Sequence, residues 1–295
     1  MHSFRRASIT GLASLLLVGC GSAGPENGPF QNSLQLRYEE PAGLFEETLL
    51  LGNGRVGAAL LGGITSERIY LNDATLWAGG PVDPHMAPDA HPHLLAVREA
   101  LAAEDWALAD TLVRQLQGSF SESYAPLGTL LLDMDHPQTV AEYERVLDLP
   151  TATASVRYAV SGTRFLRETF VSHPDRVMAI HFTASDSGAL GFRVGFESLL
   201  RYGVEVDQGT LRVSGEAPVH AEPNYRGEMP DAVVYDEGRG TRFSLLARIT
   251  ETDGVVGKNG DALTLSGATQ ATLLVSIATS FNGFDKEPGL DGLNE

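Results

Sequence analysis

The chain has 295 residues, of which 43% are hydrophobic, which is enough for a soluble protein of one large or two ordinary domains. Its formal net charge is −17, so nucleic acid, which requires a clustered basic surface, is excluded as a partner. Cys20 is the only cysteine, which excludes an intrachain disulfide and a thiolate metal cluster.

The N-terminus is typical of a bacterial export signal. Two arginines precede an apolar segment, Ile9 to Val18, that is too short to span a bilayer as a helix. The tetrad LVGC, which ends at Cys20, resembles the lipobox of bacterial lipoproteins and implies cleavage after a signal peptide of residues 1–19 and lipidation of the cysteine. A plain secretory signal with a coincidental cysteine is the alternative. Residues 20–33 are predicted to form a flexible tether.

The next segment contains glycines in the order found in dinucleotide-binding loops. Leu49 to Gly63 reads LLLGNGRVGAALLGG and includes G-x-G-x-x-G. A dinucleotide loop needs a helix at the third glycine, but only four residues separate Gly57 from the next glycine pair. Asn53-Gly54 instead indicates a type I′ hairpin turn. We therefore expect Leu49–Leu51 to pair with Val56–Leu61.

A helical segment interrupts an otherwise β-rich sequence. Apolar residues recur at helical spacing between His91 and Gly118, and two short helices broken near Glu104 fit this spacing. The residues that show it are Leu94, Val97, Leu101, Leu108, Leu112, Val113 and Leu116.

The remaining sequence consists of short β-rich runs separated by turn residues. Their spacing of roughly 8–12 residues is typical of antiparallel sandwiches, and there is no room for the crossover helices of a doubly wound fold. The predicted fold is therefore mainly β, a large antiparallel β-sandwich (supersandwich) with a short two-helix insertion. The predicted runs are Thr129–Asp135, Ala154–Val160, Thr163–His173, Arg176–Ala184, Leu190–Ser198, Thr210–Gly215, Thr241–Thr250, Asp261–Gly267 and Ala271–Ser280.

A loop near the first hairpin carries the residues best suited to a ligand. Trp77 precedes a Gly-Gly-Pro segment and is able to stack on a sugar ring, while Asn72 and Asp73 are able to bond hydroxyls. The alternative, which the sequence alone favours, places Trp77 in the core and uses Asn72 or Asp73 to cap a turn.

Other chemistry-bearing residues give no recognisable site. The spacing of His85, His91 and His93 matches no metal-ligand motif, so a polar loop is expected there. No carboxylate pair stands out, and the nucleophile motif G-x-S-x-G is absent from the sequence. We predict no metal, no cofactor and no catalytic residue in this chain.

The order of several long segments resembles the N-terminal domain of glycoside hydrolase family 95, the α-L-fucosidases. The resemblance runs from about Leu36 to Pro288. The segments, with the helical pair between the first and the second, are LRYEEPAGLFEETLLLGNGRVGAALLGGITSERIYLNDATLWAGGP, SYAPLGTLLLDM, YERVLDLPTATASVRYAVSGTRFLRETFVSHPDRVMAIHFTA and GKNGDALTLSGATQATLLVSIATSFNGFDKEP.

This resemblance implies a β-sandwich over residues 34–288, with residues 289–295 as the start of a linker to an (α/α)6 barrel that the chain lacks. Family members release α-linked L-fucose from glycans by inversion, and their catalytic residues belong to the barrel. No catalytic position can therefore be transferred to this sequence, and the chain alone is expected to be inactive. Asn72, Trp77 and Tyr124 are the residues expected to line the sugar pocket.

The expected function is that of the N-terminal domain of an exported α-L-fucosidase-like hydrolase acting on fucosylated glycans. Its expected partners are the glycan, its own barrel in a longer or split product, and the membrane through a lipid on Cys20. The expected location is the bacterial cell envelope, at the periplasm or cell surface. The alternative is a stand-alone glycan-binding surface lipoprotein without catalysis.

Overall fold

The structure, a computed structural model, describes residues 34–81, 85, 87–118, 122–137 and 140–289. The predicted signal peptide, Cys20 and the tether lie outside these residues, as do residues 290–295 of the predicted linker. All the strands and helices given below fall in one compact unit that begins at Gln35.

Strands dominate the described residues. In chain order they are β1 (Gln35–Tyr38), β2 (Leu49–Gly52), β3 (Val56–Leu60), β4 (Ser66–Asp73), β5 (Gly128–Met134), β6 (Ala141–Asp148), β7 (Thr153–Val160), β8 (Thr163–Val171), β9 (Val177–Ala184), β10 (Leu190–Glu197), β11 (Arg201–Asp207), β12 (Thr210–Glu216), β13 (His220–Ala221), β14 (Val233–Val234), β15 (Arg242–Thr250), β16 (Val255–Asn259), β17 (Ala262–Ala268) and β18 (Gln270–Thr279).

The strands form two large antiparallel sheets that pack face to face as a β-sandwich. The nine-stranded sheet has the order β1-β6-β7-β8-β9-β18-β15-β12-β11, and the seven-stranded sheet has the order β16-β17-β10-β5-β4-β3-β2. The short strands β13 and β14 pair separately. One apolar core unites the inner faces: Phe182 of β9 and Phe192 of β10 stack across it with ring centroids 4.6 Å apart.

Each of the nine predicted β-rich runs contains a strand, which confirms the mainly β fold. The prediction missed β1, β6, β11 and β16, and also the two-residue strands β13 and β14. Three of these, β1, β11 and β16, are edge strands, and most of their residues are not buried. An edge strand therefore lacks the regular apolar alternation on which the prediction rested.

The first hairpin forms as predicted, but its turn is shifted by one residue. Leu49 pairs with Leu60 and Gly52 with Gly57, so Gly54 and Arg55 are the central residues. Of these two only Gly54 has a positive φ, +91°, so the predicted type I′ turn on Asn53-Gly54 is wrong. The side chain of Asn53 accepts the backbone N–H groups of Arg55 and Val56 at 3.0 and 2.8 Å.

The two predicted helices are also present. They are α1 (Leu94–Ala102) and α2 (Trp106–Val113), and the break falls at Glu104, whose φ is +59°. Short 3-10 turns occur at Phe45–Glu47, His91–His93, Arg114–Leu116 and Asn224–Arg226. Among the described residues, no helix has the length and apolar content needed to cross a membrane.

Only part of the helical apolar surface is covered. Val97, Ala100 and Ala109 are buried. Four large apolar side chains of the pair stay between 44% and 65% exposed, and these are Leu95, Leu101, Trp106 and Leu108. The spacing that predicted the helices therefore does not correspond to a fully buried face.

A buried ion pair joins the two sheets. Arg167 of β8 donates through Nη2 to Oε2 of Glu67 on β4, and both side chains are almost completely buried. The other carboxylate oxygen of Glu67 accepts the N–H groups of Leu61 and Gly62 at 2.9 and 3.0 Å. Burial raises the pKa of the Glu67 carboxyl, while the charge of Arg167 opposes this shift. Arg167 Nε and Nη1 have no hydrogen-bond partner. Removing either member of the ion pair would leave the other buried and unpaired, which lowers the stability of the fold.

Replacing Arg167 with Met leaves the Glu67 carboxylate buried and unpaired. We expect the free energy of unfolding to fall by about 3–5 kcal/mol, measured by chemical denaturation. The control is Arg157→Met on neighbouring β7, where the side chain is 59% exposed, and its effect should stay within about 0.5 kcal/mol. Equal losses in the two variants would contradict this assignment.

Candidate functional site

The outer face of the seven-stranded sheet contains a trough of about 860 Å³. Its floor is formed by strands β3, β4 and β5, and its rim by loops that flank the sheet. Small side chains keep the floor open: Gly57 and Ala59 are the outward-facing residues of β3, while the alternate residues of that strand point into the core. A Cβ atom added to Gly57 would lie 3.7 Å from the nearest atoms of Asn72, which is an ordinary van der Waals contact without a clash.

Strand β4 supplies the row of larger side chains on the floor. Arg68, Tyr70 and Asn72 alternate with inward-facing residues and therefore lie on the same face. Arg68 Nη2 forms an ion pair with Glu197 Oε1 of β10. The Oδ1 atom of Asn72 is buried and has no hydrogen-bond donor. The ring of Tyr70 therefore lies between the ion-paired Arg68 and the amide of Asn72, whose oxygen lacks a hydrogen-bond donor.

The rim of the trough is aromatic and apolar. Phe45 lies on a 3-10 turn, 58% exposed, with its ring centroid 5.4 Å from that of Tyr70. The turn is held by Glu47, whose carboxylate accepts the N–H of Gly43 at 2.8 Å. On the opposite rim, Leu199 is 93% exposed. Exposed apolar groups around a concave surface are a common feature of binding sites.

The structure brings two of the three predicted site residues to the trough. Asn72 and Tyr124 line it, whereas Trp77 lies beside Tyr124, with the two rings edge to face and their centroids 6.3 Å apart. Burial raises the pKa of the Tyr124 hydroxyl. Trp77 is 45% exposed and its indole N–H donates to the carbonyl of Ala74 at 3.2 Å. The alternative that Trp77 fills the core is therefore wrong.

Asp73 has the turn-capping role that the sequence left open. Its Oδ1 accepts from the backbone N–H of Thr75 at 2.9 Å and from the hydroxyl of the same residue at 2.5 Å. Its Oδ2 lies 3.2 Å from Nε of Arg55. Asp73 is fully buried and faces the core, so it cannot meet a ligand in the trough.

Sequence reasoning missed Arg68, Tyr70 and Glu197. The first two carry a usable signal, since they stand at i−4 and i−2 from Asn72 on a strand whose alternate residues are apolar. Glu197 carries no such signal because it lies 129 positions from Arg68 in the sequence.

A second polar cluster lies near Trp77 and Tyr124. His220 is flanked by two carboxylates: Nδ1 lies 2.9 Å from Glu122 Oε1, and Nε2 lies 3.2 Å from Glu222 Oε1. Hydrogen bonds to these two carboxylates raise the pKa of His220. Glu122 also accepts the N–H of Ala221 at 3.1 Å, so the cluster connects the loop before β5 to β13. Among the described residues, no group of three His, Cys, Asp or Glu side chains is suited to hold a metal ion.

Residues 36–283 match the family model described as "Glycosyl hydrolase family 65, N-terminal domain". Among curated proteins, "Alpha-L-fucosidase 2" of Arabidopsis thaliana is 32% identical over 265 residues, covering 85% of this chain and 31% of that protein. "Probable alpha-fucosidase A" of Aspergillus niger is 30% identical over 141 residues, covering 46% and 18%. The protein of the same name from Aspergillus oryzae is 23% identical over 280 residues, covering 92% and 36%.

The fold and these matches define the class: the chain is an N-terminal domain of the glycoside hydrolase type. It belongs to the family described as glycosyl hydrolase family 65, N-terminal domain, whose model covers most of its length. It spans 31% to 36% of the two relatives that it matches over most of its own length. The resemblance to a glycoside hydrolase N-terminal domain is confirmed, and its assignment to family 95 stays a prediction.

The ion pairs of His220 with Glu122 and Glu222 make the stability of the fold depend on pH. The folded-state pKa of His220 is raised above 6.5, its ordinary value. The contribution of His220 to the free energy of unfolding is therefore fully present below pH 6.5 and is lost as the pH rises through the raised pKa. Unfolding midpoints measured from pH 5.5 to 8.5 should fall more steeply for the native chain than for His220→Asn. Glu122→Gln keeps the imidazole, removes its nearer carboxylate and should reduce the same slope. Identical slopes in all three chains would contradict the assignment.

Proposed function

We propose that the chain is the non-catalytic N-terminal domain of an exported α-L-fucosidase-like glycoside hydrolase of family 95. The enzyme as a whole acts on fucosylated glycans by inversion. The observation that carries this proposal is the match to Alpha-L-fucosidase 2 over 85% of this chain, together with the family to which the chain belongs. The other two curated relatives are also named as fucosidases.

Catalysis is assigned to the part of the enzyme that this chain does not contain. The chain corresponds to about a third of the length of the A. thaliana relative. From the resemblance to family 95 we infer that the general acid and the water-activating residues belong to a following barrel. The carboxylate at the trough, Glu197, forms an ion pair with Arg68. Inverting hydrolysis needs two carboxyl groups, or their equivalent, on opposite sides of the glycosidic bond.

The exposed helix pair supports a docking partner for this domain. Four large apolar residues of the pair stay exposed, which are Leu95, Leu101, Trp106 and Leu108, and a partner would normally cover side chains of this kind. We assign this surface to contact with the catalytic barrel, in one longer protein or in a split product.

Export and lipid anchoring at Cys20 are part of the same proposal and rest on the sequence alone. The basic and apolar segments before LVGC motivate them. A lipid on this residue would hold the enzyme at the periplasmic or outer cell surface, where extracellular glycans are accessible.

Fucose release tests the proposal directly. The purified chain, incubated with 2′-fucosyllactose or a nitrophenyl α-L-fucoside, should release no more fucose than buffer, while Alpha-L-fucosidase 2 serves as the positive control for the assay. Robust release that co-purifies with the chain would overturn the non-catalytic assignment. The DNA beyond the Glu295 codon should encode helical sequence with the missing carboxylates. A reading frame that lacks them would favour the stand-alone glycan-binding lipoprotein instead.

A further inference from the structure

The trough is an apolar concavity on the outer face of the seven-stranded sheet. An antiparallel sheet that covers a core on one side usually carries polar residues on the other. Both outer faces of this sandwich are mixed, since Phe170 and Leu246 are exposed on the nine-stranded sheet. On the seven-stranded sheet, however, Leu50 and Ala59 face outward into a concave trough. A concave surface with apolar side chains is suited to a ligand or a partner.

The size of the trough fits a small ligand. Its volume of about 860 Å³ lies in the range of small-molecule sites, roughly 300–1,000 Å³. The opening depends on Gly57 and Ala59, since larger outward-facing side chains at these positions would fill it.

The row on β4 fits the dimensions and chemistry of a sugar ring. Successive residues on one face of a strand lie roughly 6.5–7 Å apart, so Arg68 and Asn72 flank Tyr70 at about that distance on each side. A pyranose has an apolar face formed by its axial hydrogens, suited to a tyrosine ring, and hydroxyl groups at its edge, suited to the polar side chains on either side.

The charges of the trough select a neutral ligand. Arg68 is paired with Glu197, so the guanidinium is not free to bind a phosphate or carboxylate. The chain also carries a formal net charge of −17, which repels anions. A neutral ligand that offers both apolar surface and hydroxyl groups remains, and a saccharide has this chemistry.

The amide of Asn72 lacks the donor that a hydroxyl would provide. Its Oδ1 is buried without a hydrogen-bond partner, and buried polar atoms in folded proteins are rarely left in that state. The last torsion of an asparagine side chain is broad, so the amide can turn toward the space above Gly57. A ligand hydroxyl entering there would donate the missing hydrogen bond.

We propose that the trough is a saccharide-binding site that takes a terminal 6-deoxyhexose, with its ring on Tyr70, its hydroxyls toward Asn72 and the Arg68–Glu197 pair, and its methyl group against the apolar rim. The identity of the sugar rests on the proposed function, because the curated relatives are named as fucosidases.

Calorimetric titration of the purified chain with methyl α-L-fucopyranoside tests the site. Asn72→Ala should weaken binding about tenfold, since it removes the hydrogen-bonding amide. Gly57→Val should abolish binding, because its side chain enters the trough while its Cβ makes only ordinary contact with Asn72. The matched control is Gly203→Val on β11, where an added Cβ meets no atom within 4 Å and lies outside the trough, and it should bind as the native chain does.

A second titration tests whether the site prefers a 6-deoxyhexose. Methyl α-L-galactopyranoside, which adds one hydroxyl at C6, should bind about tenfold more weakly, because an apolar wall disfavours but does not exclude a hydroxyl. The site is overturned if neither sugar binds, if Gly57→Val binds normally, or if the native chain self-associates through the trough and Gly57→Val abolishes that association. Equal affinity for the two sugars overturns the deoxyhexose assignment. Fucose release reports on the proposed function independently, since a failed titration leaves the catalytic assignment unchanged.

Discussion

The register of β4 is fixed by buried carboxylates near its two ends. Glu67 binds Arg167 and two backbone N–H groups, and Asp73 binds Arg55 and the turn at Thr75. A slip of one residue would expose these inward-facing groups and turn the opposite set of side chains into the core. The alternation between core and trough along this strand therefore depends on two carboxylates that have no contact with a ligand.

This arrangement links packing to the character of the trough. With the carboxylates and the apolar residues of β4 directed inward, Arg68, Tyr70 and Asn72 are directed outward over β3. The small residues of β3 leave the space beside this row empty, and the 3-10 turn at Phe45 closes one side of it. The trough is thus a consequence of strand register and side-chain size, and no mobile loop is needed to form it.

Local sequence was sufficient for most of the fold. The β-rich runs and the Asn-Gly hairpin signal identified most of the central strands but not β6, and the helix break coincided with the positive φ of Glu104. The turn at Asn53 was misplaced because an Asn-Gly pair does not reveal that the Asn side chain caps the two following N–H groups. Edge strands such as β11 were missed because water, rather than a second sheet, covers much of their surface.

Only part of the candidate site could be predicted from the sequence. Asn72 and Tyr124 stood out through loop composition and family resemblance, but the ion pair of Arg68 with Glu197 depends on two strands that are distant in sequence. Trp77, the residue most suggestive of sugar binding, lies beside the trough, in edge-to-face contact with Tyr124. The residue types indicated which segment of the chain forms the site. The pairing of the strands in the fold determines which of its side chains face the trough.

A crystal structure of the chain with methyl α-L-fucopyranoside is the direct test of the saccharide site. We expect one sugar ring over Tyr70, between Arg68 and Asn72, with a hydroxyl within hydrogen-bond distance of the Asn72 amide. A sugar bound elsewhere, or a trough that stays without sugar at saturating concentration, would contradict it.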